Sequence, residues 1–264
     1  MRLAATVMLV RPSDGRHYEV FMLRRSAASA FAPDAYVFPG GTIDPQDEQP
    51  EALNRMAGIT EDWLRAQFRS ADSTLFPSRI AETTLEEAAA LSRAALRELF
   101  EEAGVLLACD VDGQPAAARI TESERNDVQR GSLTFAELLL RHNVYGDVRA
   151  LTLFSQWITP PSEPRRYNTH FFLARGSQLH EPLADAFETH DGLWIRPSDA
   201  LERSRQNGFR LVYPTVKHLE RLAEFDDIDE LFTFARSKPV YRIMPEDSAG
   251  ENRFALPTEL ERAW

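Results

Sequence analysis

Arg97-Glu98-Leu99-Phe100-Glu101-Glu102-Ala103-Gly104-Val105 is the most informative stretch of this 264-residue chain. It closes a predicted helix from Thr84 to Ala103, in which Thr84 and Glu87 fit an N-terminal capping box and Gly104 falls where a left-handed C-terminal cap belongs. Residues three and four apart share a helical face, so Glu98, Glu101 and Glu102 project together, with Arg97 one turn before Glu101. Leu96, Leu99 and Phe100 take the opposite face and can anchor it in a core. Three like charges on one stripe cost roughly 0.2–0.5 kcal/mol per pair. A cluster of hard oxygen donors suits Mg²⁺ or Mn²⁺, and these ions suit phosphate oxygens. Taken alone, the same residues also read as a solvated acidic helix face with an incidental arginine.

Upstream, the apolar Tyr36-Val37-Phe38 runs into Pro39-Gly40-Gly41, a strand ending in a sharp turn, and Asp47 follows six residues after Gly41. Together these segments resemble the Nudix box, G-x5-E-x7-R-E-U-x-E-E-x-G-U, where U is a bulky aliphatic residue. Every specified position from Arg97 to Val105 matches. Two departures stand out. Asp47, with Glu48 beside it, occupies the place of the first glutamate. Asp47 and Arg97 also lie 50 positions apart, where the compact motif has 8. Loop-closure entropy grows only logarithmically with length, so such an insertion is thermodynamically cheap. It leaves open which residue partners Arg97, which in the family pairs with the first acidic residue. The long insertion resembles one subgroup, the nucleoside-diphosphate-linked moiety X motif 19 type. That resemblance extends to Trp157-Ile158-Thr159-Pro160 and to the run from Pro164 to Phe172.

The resemblance implies an α/β fold, the Nudix α/β/α sandwich with a mixed sheet, here carrying helical insertions. It implies a Mg²⁺- or Mn²⁺-dependent hydrolase that cuts the diphosphate bridge of a small nucleotide substrate. Coenzyme A or acyl-coenzyme A is the first reading. ADP-ribose, NADH or another dinucleotide is the alternative, and a non-catalytic Nudix-fold binding module is a third, which a broken box would favour. Glu98, Glu101 and Glu102 are the implied metal ligands, and the implied catalytic set is Arg97, Glu98 and Glu188. Glu188, in Glu188-Thr189-His190-Asp191-Gly192, competes with Glu98 as general base, and Glu181 competes with Glu188. The glycines Gly40 and Gly41 allow close backbone approach to the site. Paired arginines on a loop can clamp phosphate oxygens, which makes Arg165 and Arg166, after the Pro-rich turn Thr159-Pro160-Pro161-Ser162, candidate substrate contacts. An ordinary exposed pair reads equally well. Phe209 and Tyr213 could stack on adenine, although core packing accounts for them better.

The rest of the chain mixes elements without a regular strand–helix alternation. Strands are expected at Ala4–Val10, Tyr18–Leu23, Val105–Ala108, Leu153–Ile158, His170–Leu173 and Leu193–Ile195. Helices are expected within 51–69, within 121–142, and at Ser198–Ser204, Thr215–Glu224 and Ile228–Ser237. This argues for a mixed sheet covered on both faces, in one domain at 1–237 with a helical insertion at about 48–92. A tail from 238 to 264, with three prolines and little periodicity, should wrap the surface.

Composition bounds the rest. Apolar residues make up 43% and charged residues 27%, as in an ordinary globular protein, and the net charge of −11 disfavours a broad grip on nucleic acid. The single cysteine, Cys109, excludes an intrachain disulfide and reads as a core residue. Met1–Val10 lacks the basic cluster and cleavage site of a signal peptide and reads as a first strand. No window reaches the length of a membrane span, and the final residues match no receptor-read address. A cytoplasmic protein is expected, with no membrane partner and with a homodimer left open.

Overall fold

The chain is described by a computed structural model over residues 1–15, 17–27, 32–69, 82–176, 189–206, 208–248, 253–261 and 264. A nine-stranded mixed sheet forms its centre: β1 (Arg2–Pro12), β2 (Tyr18–Arg25), β3 (Ala35–Val37), β4 (Gly40–Thr42), β8 (Leu151–Ile158), β9 (Tyr167–Arg175), β10 (Thr189–Ile195), β11 (Arg210–Leu211) and β12 (Arg242–Ile243). The order is β11-β3-β2-β1-β9-β8-β12, with β4 also paired to β1 and β10 to β2. Three short strands, β5 (Met56–Ala57), β6 (Ala108–Cys109) and β7 (Tyr145–Asp147), make a separate small sheet, and β13 (Glu246–Asp247) pairs antiparallel with β14 (Phe254–Ala255).

β1 is the spine because successive side chains point to opposite faces and both faces are covered. Ala5, Val7 and Leu9 enter one core with Leu91, Leu96, Leu99 and Phe100 of the long helix α3 (Leu85–Ala103). Met8 and Val10 enter a second core with α7 (Tyr213–Leu222) and α8 (Ile228–Ser237). The other α-helices among the described residues are α1 (Pro50–Leu53), α2 (Glu61–Gln67), α4 (Glu122–Gln129), α5 (Phe135–Arg141) and α6 (Pro197–Arg205). The first two of these fall within the insertion.

The helix that carries the motif begins and ends as its sequence demands. Thr84 Oγ1 accepts from Glu87 N–H at 3.2 Å while the Glu87 carboxylate accepts from Thr84 N–H at 2.9 Å. Gly104 takes the left-handed conformation at φ 68°, and its N–H returns to the Phe100 carbonyl. Arg125 of α4 donates to the Glu101 carbonyl at 2.9 and 3.1 Å, placing a cation at the negative end of the helix dipole.

Two expectations are corrected. Val105 to Ala108 is not a strand: only Ala108–Cys109 pairs, against β7, while Val105 and Leu106 are buried in the first core. Apolar burial and strand pairing leave the same short run in sequence. The tail from Lys238 does more than wrap the surface. β12 joins β8 in parallel, and Ile243, Leu256, Leu260 and Trp264 are all buried. Trp264 meets the ring of Trp157 at 5.3 Å and that of His218 at 5.0 Å, both near-perpendicular. Isolated apolar residues among prolines carry no periodic signal, so this burial is invisible before folding.

Trp264→Ala should therefore destabilise the protein by about 3–5 kcal/mol, the cost of emptying a buried aromatic site. Urea unfolding measures it, and an unchanged midpoint would restore the surface-wrapping tail.

Candidate active site

Arg97 is the hub of the site. Its side chain and that of Asp47 are each only 4% exposed, and its Nη2 and Nε donate to the two Asp47 oxygens at 2.9 and 3.1 Å. Nη1 donates to Glu98 at 2.9 Å and to Glu101 at 3.1 Å, and Nη2 also reaches the Thr42 carbonyl at 3.1 Å. Burial works against the charge, but Glu98, Asp47 and Glu101 more than offset it and hold the guanidinium above its ordinary range. Asp47 thus partners Arg97 across the insertion. It lies in a 3-10 turn, Pro45–Glu48, where its carboxylate also accepts from Asp44 N–H at 2.9 Å. Arg93, one turn before Arg97, donates to the Asp47 carbonyl. Its four-residue spacing from Arg97 was the only sequence sign of that role.

The two glycines earlier in the motif are required by close approach. A Cβ on Gly41 would lie 2.5 Å from Cδ of Glu98, and one on Gly40 would lie 2.6 Å from Cα of Thr6. Gly40 N–H donates to Glu102 at 2.7 Å. β4 is therefore pressed between β1 and the acidic face of α3, and Glu98, Glu101 and Glu102 all line one cleft.

Among the described residues no three carboxylate or imidazole groups converge on one point. Glu98 and Glu101 share Arg97 Nη1, while Glu102 turns to Gly40 N–H. Burial, partly offset by Arg97 and then augmented by Glu98, pushes the Glu101 carboxyl up to about 7. Clustered hard oxygens, one of them reluctant to ionise without further positive charge, fit a divalent cation in kind.

The cleft has a volume of about 1640 Å³ and runs from β4 across β1 and β9 to Trp157 at the end of β8. As many cationic as acidic side chains line it, against a net charge of −11 for the chain. Arg165 is among them, whereas Arg166 turns its Nε to the Thr159 carbonyl at 3.0 Å and is not part of the lining. Glu188 and Glu181 lie outside the described residues. Phe209 stacks on Tyr36 with centroids 3.9 Å apart, a packing role, while Tyr213 lines the cleft. The buried His170 and His218 are pushed down to about 3 by desolvation. His218 donates from Nδ1 to the Pro214 carbonyl at 2.7 Å, so its Nε2 accepts from Ser155 at 2.7 Å. Sequence reasoning missed the cleft residues Arg210, Lys217, Arg253 and Phe254, which belong to no pattern.

The family described as NUDT19 Nudix domain matches residues 1–222. Acyl-coenzyme A diphosphatase NUDT19 of Gallus gallus is 29% identical over 277 residues, covering 90% of this chain and 72% of that protein. Its Homo sapiens counterpart is 29% identical over 245 residues, covering 85% of this chain and 65% of that protein. Part of each relative therefore lies beyond the comparison. The crystal structure of a NUDIX hydrolase from Alicyclobacillus acidocaldarius superposes with a TM-score of 0.70 at 26% identity, covering 91% of this chain and 97% of the other.

Asp47→Ala should cost about 3–5 kcal/mol in urea unfolding, because it strips a buried arginine of its principal partner. A loss below 1 kcal/mol, roughly the worth of an exposed pair, would demote the clasp. The elevated Glu101 carboxyl sets a pH dependence. With its folded value raised from 4.5 to about 7, its contribution to stability is complete below pH 4.5 and is lost as pH rises through 7. A divalent cation needs the ionised form, so the Tm gain on adding Mn²⁺ should be small at pH 6 and larger at pH 8. Glu101→Gln should flatten that difference, and an equal gain at both pH values would contradict it.

Proposed function

Since the chain belongs to the NUDT19 Nudix-domain family, we propose that it is a metal-dependent pyrophosphohydrolase whose substrate is coenzyme A or acyl-coenzyme A. The observation that carries this reading is the intact acidic stripe, clasped by Arg97 and facing a cleft that gathers cations in an acidic protein. The names of the relatives supply the substrate class.

Glu98, Glu101 and Glu102 would hold Mg²⁺ or Mn²⁺, which when bound neutralises diphosphate charge and acidifies a water. Arg97 is a positioning residue, too buried to touch substrate, that keeps Glu98 and Glu101 at their places along α3. Gly41 leaves room for the Glu98 carboxylate beside the backbone, and Gly40 orients Glu102. A carboxylate, Glu98 or Glu188, takes the proton as water oxygen bonds to one phosphorus and the bridging P–O bond breaks. Two phosphate monoesters leave, 3′,5′-ADP and the phosphopantetheine or its acyl thioester. Arg165 receives substrate phosphate at the cleft wall, and Arg166 supports it by fixing the Thr159 turn. One buried thiol suits a reducing compartment, and the reading places the protein in the cytoplasm. Among the described residues no helix is long and apolar enough to cross a membrane.

The test is product analysis with Mg²⁺ or Mn²⁺ and a panel of coenzyme A, 3′-dephospho-coenzyme A, ADP-ribose and NADH. Release of 3′,5′-ADP is expected, with coenzyme A preferred over its dephospho form by roughly tenfold to a hundredfold, the worth of one charged hydrogen bond. Arg165→Ala should shrink that preference. Glu102→Gln should lower kcat at least about a hundredfold while leaving the protein folded. Far better cleavage of ADP-ribose would replace the coenzyme A reading, and near-wild-type turnover of Glu102→Gln would remove that residue from the site.

A further inference from the structure

The C-terminal segment lies beyond the residues 1–222 that the family matches, yet it builds part of the catalytic cleft. Pro245, Phe254 and Ala255 line the cleft together with Trp157, Pro160 and Tyr213. The rings form a continuous row: Trp157 to Tyr213 at 6.3 Å, and Tyr213 to Phe254 at 6.0 Å. The segment is held there from two directions. β12 seats Ile243 beside Trp157 in register, while Ser162 donates to Asp247 at 2.7 Å and Arg253 pairs with Glu163 at 2.7 Å. The β13–β14 pair is thereby fastened to the proline-rich turn at the end of β8.

Sheet register gives the distance from the chemistry. Thr42, Ala4, Thr169 and Trp157 stand side by side on β4, β1, β9 and β8. Three strand spacings of about 4.8 Å separate the first from the last, or about 14 Å. Gly41, next to Thr42, is in contact with Glu98. A phosphopantetheine arm has a backbone equivalent to about four peptide units and spans about 14 Å when extended. A diphosphate at the acidic stripe would thus bring the sulfur of that arm to Trp157, and whatever the sulfur carries would enter the aromatic row.

We propose that the Trp157–Tyr213–Phe254 trough receives the acyl chain of a coenzyme A thioester, which makes the C-terminal segment the chain-selecting element of the enzyme. This rests on the coenzyme A reading above. An alkyl chain gains free energy in proportion to the apolar area it buries, so each methylene seated in the trough raises the specificity constant. Aromatic faces also suit a purine, and the two occupants predict different responses at Phe254.

The experiment compares kcat/KM for coenzyme A, octanoyl- and palmitoyl-coenzyme A in wild type, Phe254→Ala, Phe254→Leu and Arg253→Ala. Phe254→Ala should lower the octanoyl-to-coenzyme A ratio about tenfold, mainly through KM, and Phe254→Leu should recover most of it. Arg253→Ala releases the β13–β14 pair from Glu163 without removing a trough ring and should shift the ratio in the same direction, which keeps the test decisive if Phe254→Ala does not fold. A ratio unmoved by these variants, whether or not both absolute values fall, overturns the acyl assignment while leaving coenzyme A hydrolysis standing. A proportional loss on all three substrates would mark a purine or purely structural role. If wild type releases 3′,5′-ADP from none of them yet cleaves ADP-ribose, the coenzyme A reading falls and the trough's occupant with it.

Discussion

A buried guanidinium holds this site together. Arg97 could not stay charged in the interior without partners, since the desolvation of an ion costs several kcal/mol. Asp47, Glu98, Glu101 and the Thr42 carbonyl meet that requirement from three different elements. The same bonds join the β4 strand, the turn at Pro45–Glu48 and α3 into one unit. They also explain how a long insertion is tolerated inside a catalytic motif. The chain leaves after Asp47 and returns with α3, and the buried pair closes the two ends wherever the intervening residues go.

Around that clasp the sheet acts as a ruler. β1 separates two cores, so its alternation decides which residues support α3 and which support α7 and α8. The parallel pairing of β1 with β9, and the antiparallel pairing of β9 with β8, set Ala4, Thr169 and Trp157 in one row. The acidic end and the aromatic end of the cleft are then separated by hydrogen-bonded strands rather than by loops. A substrate with a charged bridge and a long arm would meet fixed points at both ends, which favours a defined geometry over an adaptable one.

Much of this was legible in the linear chain. The 3.6-residue period, the Thr84–Glu87 capping box and Gly104 define α3 from local interactions alone, and those interactions do not depend on distant residues. The carboxylate stripe follows from helical geometry. Local rules decide these features because each involves residues within a few positions of one another.

What folding alone decided involves residues far apart in sequence. The choice of Asp47 over Glu48 as the partner of Arg97 required the turn at Pro45–Glu48 to point one carboxylate inward and leave the other exposed. The engagement of Arg166 with Thr159 while Arg165 faces the cleft depends on how one turn is set against the end of β8. The burial of Trp264 and the placement of Phe254 beside Tyr213 depend on a tail whose apolar residues have no period. Sequence determines a local pattern wherever the interacting groups are neighbours along the chain. Pairings across dozens of residues come from the packing of whole elements, where burial and charge compensation select one partner among several that the linear pattern leaves equivalent.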